Sequence, residues 1–191
     1  MSGIARIALW AVMLIGVTSA HGALFGKKDV GEERAKLREA QISALEKLYS
    51  EKPGTKQEIA DSKGYAVFSN VGVNVLVLST QRGGGILHDN RSGQDTYMKM
   101  MSAGAGIGLG IKDFSAIFIF HTDSALDGFQ KDGWDFSAQA DANIESENKG
   151  EGAETATTAM PGTTLYQLTD AGVAAQVTLQ GTKFWANDDL N

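Results

Sequence analysis

Residues 102–120, SAGAGIGLGIKDFSAIFIF, decide the fold class. Four glycines fall on alternate positions, Gly104, Gly106, Gly108 and Gly110, and lead into Phe114-Ser115-Ala116-Ile117-Phe118-Ile119-Phe120. Successive strand side chains point to opposite faces, so this glycine period leaves one face bare and puts Ala105, Ile107, Leu109 and Ile111 on the other. The pattern reads as a sheet packed closely against something. A dinucleotide loop instead needs glycines in the register G-x-G-x-x-G at the opening of a helix. Counted from Gly104 or Gly106, the third glycine position holds Leu109 or Ile111, and the aromatic, β-branched run that follows is a buried strand.

Working outward, residues 30–52 have helical periodicity, with Leu37, Ala40, Ala44, Leu45, Leu48 and Tyr49 on one stripe and Glu32/Lys36 spaced four apart outside it. Pro53-Gly54 ends this helix, and Thr55 with Glu58 has capping-box spacing for a short second one through Ile59. Beyond Gly64 the period becomes strand-like. Strands are predicted at 65–69, 73–79, 85–88, 96–111, 115–121, 134–144, 164–169 and 173–185, with turn chemistry at 89–93 and at Asp132-Gly133. One helix interrupts them at 123–130, capped by Asp123. The stretch 150–162, rich in Gly, Ala, Thr and Glu, reads as a mobile loop. The order fits an α+β domain: a mainly antiparallel sheet, twisted or closed into a barrel-like shape, with helices at its N-terminal end.

At 191 residues the chain is one domain's worth. Residues 1–22 read as an export signal, with Arg6, an apolar core from Ile7 to Val17, and small residues at Ser19, Ala20 and Gly22. Cleavage after Ala20 or after Gly22 fits this pattern, and an uncleaved signal anchor is the alternative. The body is then residues 23–191, helical over about 30–62 and β-rich over about 64–186. Absence of cysteine removes disulfides, thiolate metal sites and a lipid-bearing cysteine near the leader. The formal charge is −6, or −7 without Arg6; residues 64–191 hold seven Lys/Arg against fifteen Asp/Glu. That acidic body argues against nucleic acid, whose binding needs clustered cations.

Catalytic patterns are weak. No serine lies in a G-x-S-x-G elbow, and three histidines offer few bases for a triad. Cleavage after Ala20 would expose His21 as an N-terminal copper ligand, but His88 and His121 sit in no copper-enzyme context. In the loop from Asp89 to Asp95 glycine stands fifth rather than sixth, which is not a calcium loop. No cofactor and no enzymatic activity are expected.

Several segments, in order, resemble the SYLF-domain family of small lipid-binding domains: Lys63-Gly64-Tyr65-Ala66-Val67-Phe68 with Asn70, Gly83-Gly84-Gly85-Ile86-Leu87, the alternating glycines, Ala138-Gln139-Ala140-Asp141-Ala142, Gly150-Glu151-Gly152-Ala153-Glu154, and Ala171-Gly172-Val173 with Leu179-Gln180-Gly181. The resemblance spans roughly residues 35–185. It implies an α+β domain that binds phospholipid without catalytic residues. The basic cluster associated with phosphoinositide binding in eukaryotic relatives is missing here. The expected function is phospholipid binding in the periplasm or envelope of an exporting cell, through apolar side chains with modest electrostatic help; the alternative is an adaptor that docks a protein partner on its sheet. Leu24 and Phe25 followed by Lys27 and Lys28 form either a membrane-inserting tip or a frayed terminus. Trp134, Phe184 and Trp185 are candidates either for a sheet rim at the lipid headgroups or for the core.

Overall fold

A computed structural model describes residues 29–69, 80–103, 114–136, 156–169, 172–173 and 181–191. Helix α1 spans Val30–Glu51 and α2 spans Thr55–Asp61. Strands β1 (Gly64–Ser69), β2 (Thr80–Asp89), β3 (Gln94–Ala103) and β4 (Phe114–Phe120) follow, then α3 (Asp123–Asp132). Strands β5 (Trp134–Asp135), β6 (Ala156–Met160), β7 (Thr163–Thr169), β8 (Gly172–Val173) and β9 (Thr182–Ala186) complete the order. The nine strands of the described residues form one curled antiparallel sheet in the order β5-β9-β3-β2-β1-β4-β7-β6, with β8 on β7. The protein is α+β and β-rich.

Both faces of the sheet's centre are covered, which explains the unbroken apolar run of β4 from Ala116 to Phe120. Its even-numbered residues Phe114, Ala116, Phe118 and Phe120 point to the α3 side, where they join Phe68, Phe129, Trp134, Leu165 and Phe184 in the larger core. The odd-numbered Ile117 and Ile119 point the other way and meet Val67, Tyr166, Leu168 and the α1 residues Ala44 and Leu48. A strand buried on both faces needs no alternation of polarity. The stripe on α1 supplies the second layer, with Leu48 fully buried and Leu37 packed towards Ile86, Tyr97 and Leu190. Close approach of α1 is possible because β2 carries Gly84, where a Cβ would stand 2.8 Å from a Leu37 methyl.

Local signals explain most helix ends. The Asp29 carboxylate accepts from the Gly31 and Glu32 amides at 2.8 and 3.3 Å, and Glu32 with Glu33 complements the N-terminal dipole of α1. At α2 the capping-box expectation is corrected: Gly54 precedes the helix, the Thr55 hydroxyl donates to Lys52 O, and Glu58 turns to Tyr166. At α3 the cap is Thr122, one residue before the predicted Asp123, because its hydroxyl accepts from the Ala125 amide while Asp123 already has helical backbone. Gly133, at φ 66°, ends α3.

Two further differences concern strands. Within the expected loop 150–162, Ala156–Met160 is a strand, held by backbone pairing with β7. Within the expected strand 173–185, the described residues are two separate strands, Gly172–Val173 on β7 and Thr182–Ala186 on β3. The predicted strand 73–79, the alternating glycines of 104–110 and the leader 1–22 lie outside the described residues. Among the described residues no helix is long and apolar enough to cross a membrane.

Candidate functional site

Strand β9 divides its side chains cleanly. Thr182 and Phe184 are buried, whereas Lys183 and Trp185 are exposed on the opposite face. Register then sets their neighbours: Trp185 lies opposite Lys99 of β3, and Lys183 opposite Met101 of β3 and Asp135 of β5. Residues directly opposite on one face of an antiparallel pair are close enough to interact. The result is a small outward patch of Trp185, Met101, Lys99, Lys183 and Asp135, beyond the edge of α1. Trp185 keeps 37% of its surface exposed, and among the described residues only Val30 and Ile42 are comparably exposed large apolar side chains.

Each lysine of the patch holds a carboxylate. Lys183 Nζ is 2.6 Å from Asp135 Oδ2, and Lys99 Nζ is 2.8 Å from Asp189 Oδ2. The hydrogen bond from Lys99 lowers the pKa of the Asp189 carboxyl. Asp189 is carried there by a C-terminal turn that the core pins in place. Leu190 is buried against Ile86 and Tyr97, its amide donates to Asn187 O, and Arg34 of α1 donates to its carbonyl at 2.9 Å.

Of the sequence candidates, only Trp185 stands on this surface. Trp134 and Phe184 occupy no rim: both are buried in the larger core, Trp134 with its ring centroid 4.7 Å from Phe129 and Phe184 4.6 Å from Phe68. Alternation along β9 turns Phe184 inward for the same reason that it turns Trp185 outward. Leu24, Phe25, Lys27 and Lys28 lie outside the described residues. Lys99, Met101, Asp135, Lys183 and Asp189 escaped the sequence reading. The spacing of Lys183 and Trp185 puts them on one face, but their partners follow only from register.

The remaining polar clusters tie elements together. Arg91, in the turn after β2, donates to Asp89 at 3.0 and 2.9 Å, to Asp123 at 2.9 Å and to Asp127 at 2.7 Å, joining that turn to α3. His88 meets Asp95 at 2.7 Å, and Arg38 of α1 donates to Tyr97 at 2.9 Å. Tyr166 donates to Glu58 at 2.8 Å, and burial followed by this bond raises its pKa well above the usual phenol. His121 Nε2 lies 2.7 Å from Thr164 Oγ1 and 3.6 Å from Glu58 Oε1. A hydroxyl–imidazole–carboxylate relay requires the acid on the nitrogen opposite the hydroxyl. Here both oxygens meet the same nitrogen, so the trio lacks relay geometry. Among the described residues no cluster of three or more histidine or carboxylate ligands is arranged for a metal ion.

No protein-family model matches the chain. It is similar to Beta cell expansion factor A of Aeromonas veronii, with 28% identity over 167 residues, 87% of this chain and 62% of that protein. The chain thus spans less than two thirds of the length of the curated relative it matches.

Proposed function

We propose that this protein is a non-enzymatic phospholipid-binding module of the SYLF type, exported to the cell envelope. The observation that carries the reading is the exposed Trp185 beside Lys99 and Lys183 on an otherwise well-packed sheet. An indole ring has an apolar body and one polar N–H, which suits the boundary between headgroup and acyl chain, and lysine stems lie along apolar surface while their ammonium groups reach phosphate. In this reading Trp185 and Met101 enter the interface and the lysines meet headgroups. The acidic body, seven basic against fifteen acidic residues over 64–191, keeps long-range attraction from leading.

Trp185 shares a row with Lys99, Gly84 and Ser69, the last residue of β1. The tip at Leu24, Phe25, Lys27 and Lys28 is a second proposed contact.

Co-sedimentation of the full chain with neutral and anionic liposomes at low and high salt tests the proposal. Binding that survives high salt is expected, because apolar insertion is not screened. W185A is expected to weaken it, and deletion of residues 23–28 to weaken it further. Absence of binding to every liposome, with a stoichiometric protein co-purifying instead, would replace this reading by the adaptor one.

A further inference from the structure

We infer that the lipid contact extends from Trp185 to the start of α1, with Val30 as a second apolar anchor, so that α1 delivers residues 24–28 to the same bilayer; the inference rests on the lipid-binding reading above. The path of α1 across the sheet carries it. Glu51 accepts from the Val173 amide of β8, and Lys47 donates to Thr169 O of β7. Leu48 shares a core cluster with Ile117 of β4 and Val67 of β1. Leu37 stands against Gly84 of β2, and the Arg34 guanidinium lies 5.2 Å from the centre of the Tyr97 ring of β3. From its C-terminus to its N-terminus α1 therefore crosses the strands in sheet order, and the strand beyond β3 is β9. Val30 precedes Arg34 by one helical turn, about 6 Å along the axis, against a strand spacing of about 4.8 Å. The first turn of α1 thus lies towards β9.

Register fixes the side of the sheet. Gly84 is opposite Lys99 and Lys99 is opposite Trp185, so the indole leaves the sheet on the side that carries α1. Arg34 Nε donates to Leu190 O at 2.9 Å and fastens the start of the helix to the turn that follows β9. Val30 belongs to the helix row of Leu37, Ala44 and Leu48, which faces the sheet, yet it is 42% exposed where Ala44 and Leu48 are buried. With Trp185 it makes two of the three exposed large apolar side chains among the described residues; the third, Ile42, lies off this row. Each residue extends the chain by at most about 3.6 Å, so Phe25 stands within about 18 Å of Val30 in any conformation. A bilayer accepts separate apolar anchors without a matching pocket, and the order of Leu24-Phe25 before Lys27-Lys28 suits its interface.

The chain has no cysteine, so the variants V30C, K183C, I42C and K56C each take a single nitrobenzoxadiazole label. Lys183 is exposed on the Trp185 face and Lys56 is exposed on α2. Each labelled full chain is mixed with phosphatidylethanolamine/phosphatidylglycerol vesicles, with and without brominated phosphatidylcholine as quencher. The labels at 30 and 183 are expected to brighten about threefold on binding and to be quenched by the brominated lipid, whereas those at 42 and 56 change by less than about 1.5-fold. V30S is expected to weaken vesicle binding about threefold at an unchanged melting temperature, and I42S to leave it within about 1.5-fold. Binding in which the label at 183 enters lipid while that at 30 stays in water overturns the inference and leaves the lipid-binding reading standing. Labels at 30 and 183 already shielded without vesicles and unchanged by them also overturn it, because the chain itself then covers the face. Binding to no vesicle overturns both proposals.

Discussion

Asp89 is the residue whose environment has the clearest thermodynamic consequence. Its carboxylate is 6% exposed and receives both forks of the Arg91 guanidinium, which holds its pKa down at about 2. The unfolded chain's aspartate titrates near 4, so the folded state binds the proton less readily. Stability from this pair is therefore complete above about pH 4 and is lost as the pH falls towards 2. D89N is expected to cost about 2 kcal/mol at neutral pH and to flatten the stability profile between about pH 4 and 2. Urea denaturation across that range measures both effects. Sequence marked 89–93 as a turn that is no calcium loop, and gave no sign of the ion pairs. The arginine's reach to Asp123 and Asp127 needs α3 to lie over that turn, an arrangement set by the whole sheet.

Elements were legible where a periodic pattern coincided with a local stop signal. Helix α1 shows its stripe and its Pro53-Gly54 stop in sequence, and α3 the Asp132-Gly133 turn that ends it. That glycine has φ 66°, and a Cβ there would run into Phe184 O, so G133A meets both left-handed strain and a backbone clash. An L-residue in that conformation costs about 1–2 kcal/mol before the clash is counted. The variant should melt at a clearly lower temperature, whereas G128A within α3, where a Cβ meets open space, should hold or gain stability. Strand β6 was illegible because Ala156, Thr157, Thr158 and Ala159 carry no alternating apolar face; the backbone of β7 makes the strand.

Across the whole molecule, adjacent residues on β9 serve opposite purposes. Phe184 packs on Phe68, Phe118 and Phe129, so F184A should cost about 3–5 kcal/mol, the range for emptying a buried aromatic site. Trp185 keeps 37% of its surface exposed, so W185A should cost clearly less stability than F184A while weakening vesicle binding. Calorimetry and co-sedimentation on the two variants separate core from contact surface. Equal loss of stability in both would mean that the indole is structural.

The sequence by itself determined the class of the protein: a helical N-terminal part, a change of period at Gly64, and a doubly buried strand at Phe114–Phe120. These follow from local periodicity, since side-chain direction repeats every 3.6 residues in a helix and every two in a strand. It also selected Trp134, Phe184 and Trp185 as a group without separating them. Tertiary structure decided that Trp134 and Phe184 fill the core, that Trp185 stands outside, and that Lys99 lies opposite it with Asp189 on the lysine. Those assignments depend on which strands pair and in what register, and no segment contains the partner that fixes its own register.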